Sequence, residues 1–265
     1  MPLTAAKERM LALFLSHGAP TLVDDPRWVE ELHTLASGLP RPSAVLIVSA
    51  HWDAAPLMLG ATEPVPLVYD FGGFPDRFYR ATYPAPGAPE LAEAVRRILP
   101  DREQVVRTDR GLDHGAYVPL SVMYPDADIP VLQMSLPTLE PGRLLALGRR
   151  LAELRDLGVL VVGSGFTTHG LPFLSREHWR STDAAPPGWS VEFDAWAQEA
   201  LTAGDVEELA AFRDRAPGMP YAHPTIEHLA PMFVTLGLAD DPERAPDQPI
   251  DGFWMGLAKR SFVVA

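Results

Sequence analysis

Three short apolar runs dictate most of what this chain can fold into: LALFLSHG, AVLIVSAHW and VLVVGSGFTTHG. Each is rich in Leu, Val and Ile, lacks polar alternation, and gives way to small residues before a histidine. Runs of this kind read as buried strands of an α/β sheet, covered on both faces. Segments with helical spacing lie between them. Pro26 precedes Trp28, Val29, Leu32 and Leu35, and Pro141 precedes Leu144, Leu145, Leu147, Leu151 and Leu154. Proline suits the first helical position because its missing N–H has no partner there in any case. The alternation predicts one α/β domain over residues 1–265, with a central, mostly parallel or mixed sheet flanked by helices. Strands are expected at 11–16, 44–50 and 131–135 and at VLVVGSG. Further helices are expected from Pro89 to about Leu99 and from Pro224 to near Gly237, and the tail GFWMGLAKRSFVVA is expected to be a final strand.

The histidines follow the strands, and in open α/β sheets ligands bind outside the carboxyl ends of the strands. Imidazoles delivered to one rim suggest a metal. The chain has no cysteine, so a protein-held metal must use His, Asp or Glu. His17 and His51 close their strands directly, whereas His169 lies further on, past Gly165, which suggests a mobile acid/base. His228 and Glu227, in HPTIEHLAPMF, compete as donors from the start of the last predicted helix. His114 and His223 read as loop residues in reach of a substrate. His33 reads as structural and His178 as a solvated loop residue.

A formal charge of −13 excludes a nucleic-acid groove and disfavours an anionic membrane surface. No run reaches transmembrane length, and MPLTAAKERM lacks the apolar core of a signal peptide, so a cytoplasmic enzyme is expected.

The segments SHGAP, SAHWD, FGGFPDRFY, YPAPG, DHGAY, MYPDADIPV, the GSG-to-His169 stretch and HPTIEHLAPM occur in that order. As an ordered set they resemble the DOPA-dioxygenase-type extradiol ring-cleaving enzymes, related to the catalytic subunit of protocatechuate 4,5-dioxygenase. The resemblance runs from Leu13 to Met255. It implies a single α/β domain that inserts both atoms of O2 into a catechol, with Fe(II) as the usual metal and Zn(II) able to occupy the same site. It implies His17, His51 and His228 as metal ligands and His169 as the acid/base. The wider superfamily has Glu as its third ligand; a histidine there gives a neutral donor set that also suits zinc.

The chemistry explains these residue types. A catechol must lose its protons, and imidazole titrates near neutral pH. His114 is a second candidate catalytic residue, through a hydrogen bond to substrate or oxygen. His223, Phe74 and Tyr79 are candidate substrate contacts, with Phe71 in the same aromatic segment. The expected partners are therefore a catechol-type small molecule and O2. Two other readings compete: a zinc-dependent hydrolase using the same histidines, and an inert metal-binding scaffold.

Overall fold

In the computed structural model, which describes residues 3–99 and 104–265, the three apolar runs lie side by side as expected. The strands are β1 (Ala12–Ser16), β2 (Ala44–Asp53), β3 (Met58–Leu59), β4 (Val106–Arg107), β5 (Val131–Leu136), β6 (Val159–Gly165), β7 (Asp247–Ile250), β8 (Phe253–Trp254), β9 (Leu257–Ala258) and β10 (Ser261–Val264). Eight of them form one sheet in the order β4-β3-β5-β2-β6-β1-β10-β7. Its centre, β5-β2-β6-β1, is parallel, and β3 and β10 join it antiparallel, so the sheet is mixed.

Helices α1 (Pro26–Ser37), α2 (Pro89–Ile98), α3 (His114–Met123), α4 (Pro141–Leu151), α5 (Gly188–Ala203), α6 (Val206–Ala210), α7 (Phe212–Arg215) and α8 (Ala230–Gly237) complete the fold. Successive strand side chains point to opposite faces, and the core divides accordingly. Ala12, Phe14, Leu46, Val48 and Val161 pack under α2, α4, α5 and α8. Leu13, Leu15, Val45, Ile47 and Val162 pack under α1 and α3. Both faces need apolar side chains, which is why these strands show no polar alternation.

Register then sets the site. Ser16 pairs with Gly165, and Ser49 pairs with Ser164. β1 and β6 therefore end at one level, while β2 runs on to Asp53 and carries His51 just past the Ser49–Ser164 pair, at the same rim.

Two expectations are corrected. The helix predicted from Pro224 begins at Ala230, and residues 224–229 form turns. Pro231 explains this. Inside a helix starting at Pro224 it would lack the N–H that should bond Glu227 O, whereas it is tolerated in the first turn of α8. The single tail strand is three short ones. Met255 (φ 53) and Gly256 (φ 81) form a two-residue turn that pairs Trp254 with Leu257, and β10 then returns against β1. Positive φ at both central residues matches the hairpin turn whose twist suits flanking strands. Among the described residues no helix is long and apolar enough to cross a membrane.

Candidate metal centre and substrate cavity

Five histidines meet at the rim. Ligand atoms lie within 4.8 Å of one another in two sets, His17, His51 and His114, and His169, Glu227 and His228. The sets are contiguous. His51 Nε2 is 3.0 Å from His17 Nε2 and 3.3 Å from His228 Nε2.

The opposite ring nitrogens show how these three imidazoles are held. His17 Nδ1 lies 3.0 Å from Ser164 Oγ, whose own hydroxyl donates to Gly115 O at 2.5 Å. Ser164 has therefore spent its proton and accepts one from His17 Nδ1–H. His51 Nδ1 faces Asp70 Oδ2 at 3.3 Å, and His228 Nδ1 faces Glu227 Oε1 at 3.0 Å. Carboxylates only accept, so these nitrogens also carry the hydrogen. All three Nε2 atoms are left with lone pairs, and those of His17 and His228 both lie within 3.3 Å of that of His51. Three convergent lone pairs repel unless a cation lies between them, and an oxygen partner on the far nitrogen is the usual support of a metal-bound histidine. The donor set fits a divalent metal.

Burial keeps these rings neutral. It pushes His17 and His228 well down, each aided by neighbouring imidazoles, and His51 down to about 3. Burial opposes the Asp70 carboxylate, but the His114 hydrogen bond, with the pull of His114 and His51, holds it below the usual range.

Asp70 had no motif or periodic signal in the sequence. It accepts from His114 Nδ1 at 2.7 Å and from His114 N at 3.2 Å. One carboxylate thus fixes both His51 and His114. His114 opens α3, with Asp113 as N-cap, and is buried rather than on an open loop. Asp113 is itself buried and accepts from Ser49 Oγ at 2.8 Å and from Gln133 Nε2.

Glycines let these groups approach. A Cβ on Gly115 would lie 2.5 Å from Ser49 Oγ and 3.2 Å from His17 Nδ1. A Cβ on Gly165 would lie 2.1 Å from His228 O. That close passage carries the Phe166 N–H to His228 O bond of 2.9 Å, which ties the His228 turn to the end of β6. His228 therefore comes from a turn, not from the helix that the sequence suggested.

His169 is not loosely held. Its backbone N–H donates to Ala222 O at 2.8 Å, and its ring stacks on His228 at 3.4 Å between centroids and 14° between planes. Burial, then His223 and His51, pushes it down to about 3. Among the described residues its ring has no hydrogen-bond partner.

A cavity of about 640 Å3 opens over the histidines, walled among others by Phe71, Phe74, Phe166, Leu174 and Trp254. Phe74 lines it. Tyr79 stands behind Phe71, with ring centroids 4.9 Å apart. His223 is buried behind His169, with Nε2 2.8 Å from Thr167 O. His33 is exposed on α1. The solvated role expected for His178 is corrected. It is buried, takes Ser175 N–H on Nδ1 at 3.0 Å, reaches Ala185 O from Nε2 at 3.0 Å, and lines the cavity.

Comparison with known proteins agrees with this geometry. The family profile described as the catalytic LigB subunit of aromatic ring-opening dioxygenase matches residues 12–249. The chain is 39% identical over 259 residues to "4,5-DOPA dioxygenase extradiol" of Beta vulgaris, covering 92% of this chain and 91% of that protein. It is 38% identical over 254 residues to the Escherichia coli K12 protein of the same name, covering 94% and 92%. A crystal structure of an uncharacterized protein from Escherichia coli K12 superposes with a TM-score of 0.81 at 34% identity, covering 97% of this chain and 100% of that one.

Proposed function

The chain belongs to the LigB family of aromatic ring-opening dioxygenases, and from that membership we propose that His17, His51 and His228 hold Fe(II) for extradiol cleavage of a catechol. The observation that carries the ligand assignment is the convergence of three Nε2 lone pairs, each ring fixed from behind by Ser164, Asp70 or Glu227. Iron in this position, when bound, would supply two catechol-binding sites and the one-electron chemistry that O2 requires. Zn(II) suits the same neutral nitrogen donors, and metal analysis of the purified protein distinguishes them.

The remaining residues have roles that the geometry supports. His169 presents an unpartnered ring to the cavity and takes the proton of a catechol hydroxyl, then returns it to the product. Its stacking on His228 and its backbone bond to Ala222 O set that ring in place. His114 has its Nδ1–H committed to Asp70, so its Nε2 is an acceptor for a hydroxyl or an oxygen-derived proton. Phe71 and Phe74 wall the aromatic ring, and Phe166 closes the cavity beside His17. Tyr79 and His223 support Phe71 and His169 from behind. The apolar walls keep bulk water away from the reacting ring.

Anaerobic reconstitution with Fe(II), followed by a panel of catechols at an oxygen electrode, tests this reading. The expected result is one O2 consumed per ring, both oxygen atoms in the product, and a new near-ultraviolet or visible band. Ester or amide turnover without oxygen uptake would return the hydrolase reading. His17→Ala, His51→Ala or His228→Ala should lose metal, and full occupancy in any of them overturns its assignment as a ligand.

A further inference from the structure

Asp113 is a fully buried carboxyl group that does not line the substrate cavity, yet the segments carrying His51, Asp70 and His114 meet at it. Its two oxygens face four donors. Oδ1 takes Ser49 Oγ at 2.8 Å and Ala116 N at 3.2 Å, and Oδ2 takes Gln133 Nε2 and, at 3.4 Å, Arg110 Nη2. Its backbone N–H donates to Gln133 Oε1 at 3.0 Å, which fixes the orientation of that amide and leaves Nε2 for the carboxylate.

Two of these donors also grip the peptide of His51. Ser49 Oγ, while donating to Asp113, accepts from His51 N at 3.2 Å. Arg110 Nη2 reaches His51 O at 3.2 Å as well as Asp113. The sheet itself does not fix His51. β2 pairs with β6 as far as Ser49 and with β5 as far as Val48, and it regains β5 at Asp53. The His51 N–H and C=O need partners outside the ladder, and both partners are held by Asp113. The other arm reaches His114. Asp113 caps α3, of which His114 is the first residue. Val68 N donates to Leu112 O at 2.9 Å, in a bridge between Val68 and Asp113 that delivers Asp70 to His114. Asp70 orients the His51 and His114 rings, and Asp113 places the main chains that carry them.

We infer that Asp113 is a positioning residue that sets His51 against His114 through their main chains, coupled by Ser49, Gln133 and Arg110. This rests on His51 as a metal ligand. The test loads the full chain with Co(II), whose visible bands follow coordination geometry, and measures metal affinity against a chelator. Asp113→Asn keeps the size and the Oδ1 bonds, but its NH2 group meets Gln133 Nε2 and Arg110 Nη2, donor against donor. Turning the Gln133 amide over only moves the conflict to the residue 113 N–H. Metal affinity should fall roughly 10–100-fold, as on loss of other supports behind a ligand, and the Co(II) bands should shift. Gln133→Glu added to Asp113→Asn offers acceptors to both the new amide and that N–H, so the double variant should regain most of the affinity and the wild-type bands. Ser49→Ala and Arg110→Met each cut one grip on His51 and should shift both readouts the same way by less. Thr235→Val, which removes a buried hydrogen bond to Leu13 O, should lower the melting temperature and leave both metal readouts unchanged. Wild-type affinity and bands in Asp113→Asn, or a double variant no better than the single one, overturns the assignment. Should Asp113→Asn fail to fold, wild-type readouts in both Ser49→Ala and Arg110→Met refute it. His51→Ala separates the two levels. Retained wild-type bands there remove the ligand reading and this inference with it, whereas lost metal there beside an unaltered Asp113→Asn overturns the role of Asp113 alone.

Discussion

Replacing Gly165 with Ala should cost metal out of proportion to stability. The Cβ would lie 2.1 Å from His228 O, where an ordinary contact begins at 3.4 Å. The His228 turn must therefore retreat by about 1.3 Å, the difference of those two distances. The Phe166 N–H to His228 O bond lies across the same gap and would stretch or break. Metal–nitrogen distances tolerate only about ±0.2 Å, so a retreat of this size removes His228 from the coordination sphere. The loss of affinity should be at least the roughly 10–100-fold seen when a partner behind a metal ligand is deleted. Overpacking itself costs about 1–3 kcal/mol. Gly148→Ala separates the two effects, because its Cβ would also lie 2.1 Å from a carbonyl, Val234 O, at the contact between α4 and α8. Both variants should melt lower, and only Gly165→Ala should lose its metal to a competing chelator. Equal metal affinity in wild type and Gly165→Ala would refute the claim that this glycine sets the position of His228.

Three further outcomes are expected. Asp70→Asn leaves one carbonyl oxygen for two imidazoles that both need an acceptor, so metal affinity should fall roughly 10–100-fold in a chelator competition; unaltered affinity would count against Asp70 as the support of His51. His169→Ala should cut turnover on the order of 100-fold or more with metal retained, and complete loss of metal would make His169 a ligand instead. His223 is buried and pushed down to about 4, chiefly by burial, whereas an unfolded chain takes up that proton near about 6.5. The stability it contributes is therefore complete above pH ~6.5 and lost as pH falls towards about 4, a difference of roughly 3 kcal/mol. In denaturant titrations the stability gap between wild type and His223→Gln should narrow by about that much between pH 7 and pH 4; a constant gap would show that His223 does not carry the acid sensitivity.

What was legible in the sequence follows from what burial writes into it. Strands covered on both faces must be apolar at successive positions, so β1, β2, β5 and β6 announce themselves, and with them His17 just past β1 and His51 in the last residues of β2. Asp70 was not legible, because a carboxylate's value here lies in reaching two imidazoles from a segment whose one strand-like feature is an isolated bridge between Val68 and Asp113. Ser164 was hidden for the opposite reason, being a small residue inside an apolar strand. His228 was read as a donor but on the wrong element, although Pro231, which cannot sit inside a helix begun at Pro224, was a local signal for the later start. Tertiary contact adds to that signal. The carbonyl of His228 is taken by Phe166 N, and the approach that permits this bond requires the missing side chain at Gly165. The chain thus trades one turn of helix for a carbonyl bonded to β6, and that bond brings a histidine 177 residues away in sequence against His51. The position of the proposed third ligand is in this sense written in a glycine rather than in the histidine itself.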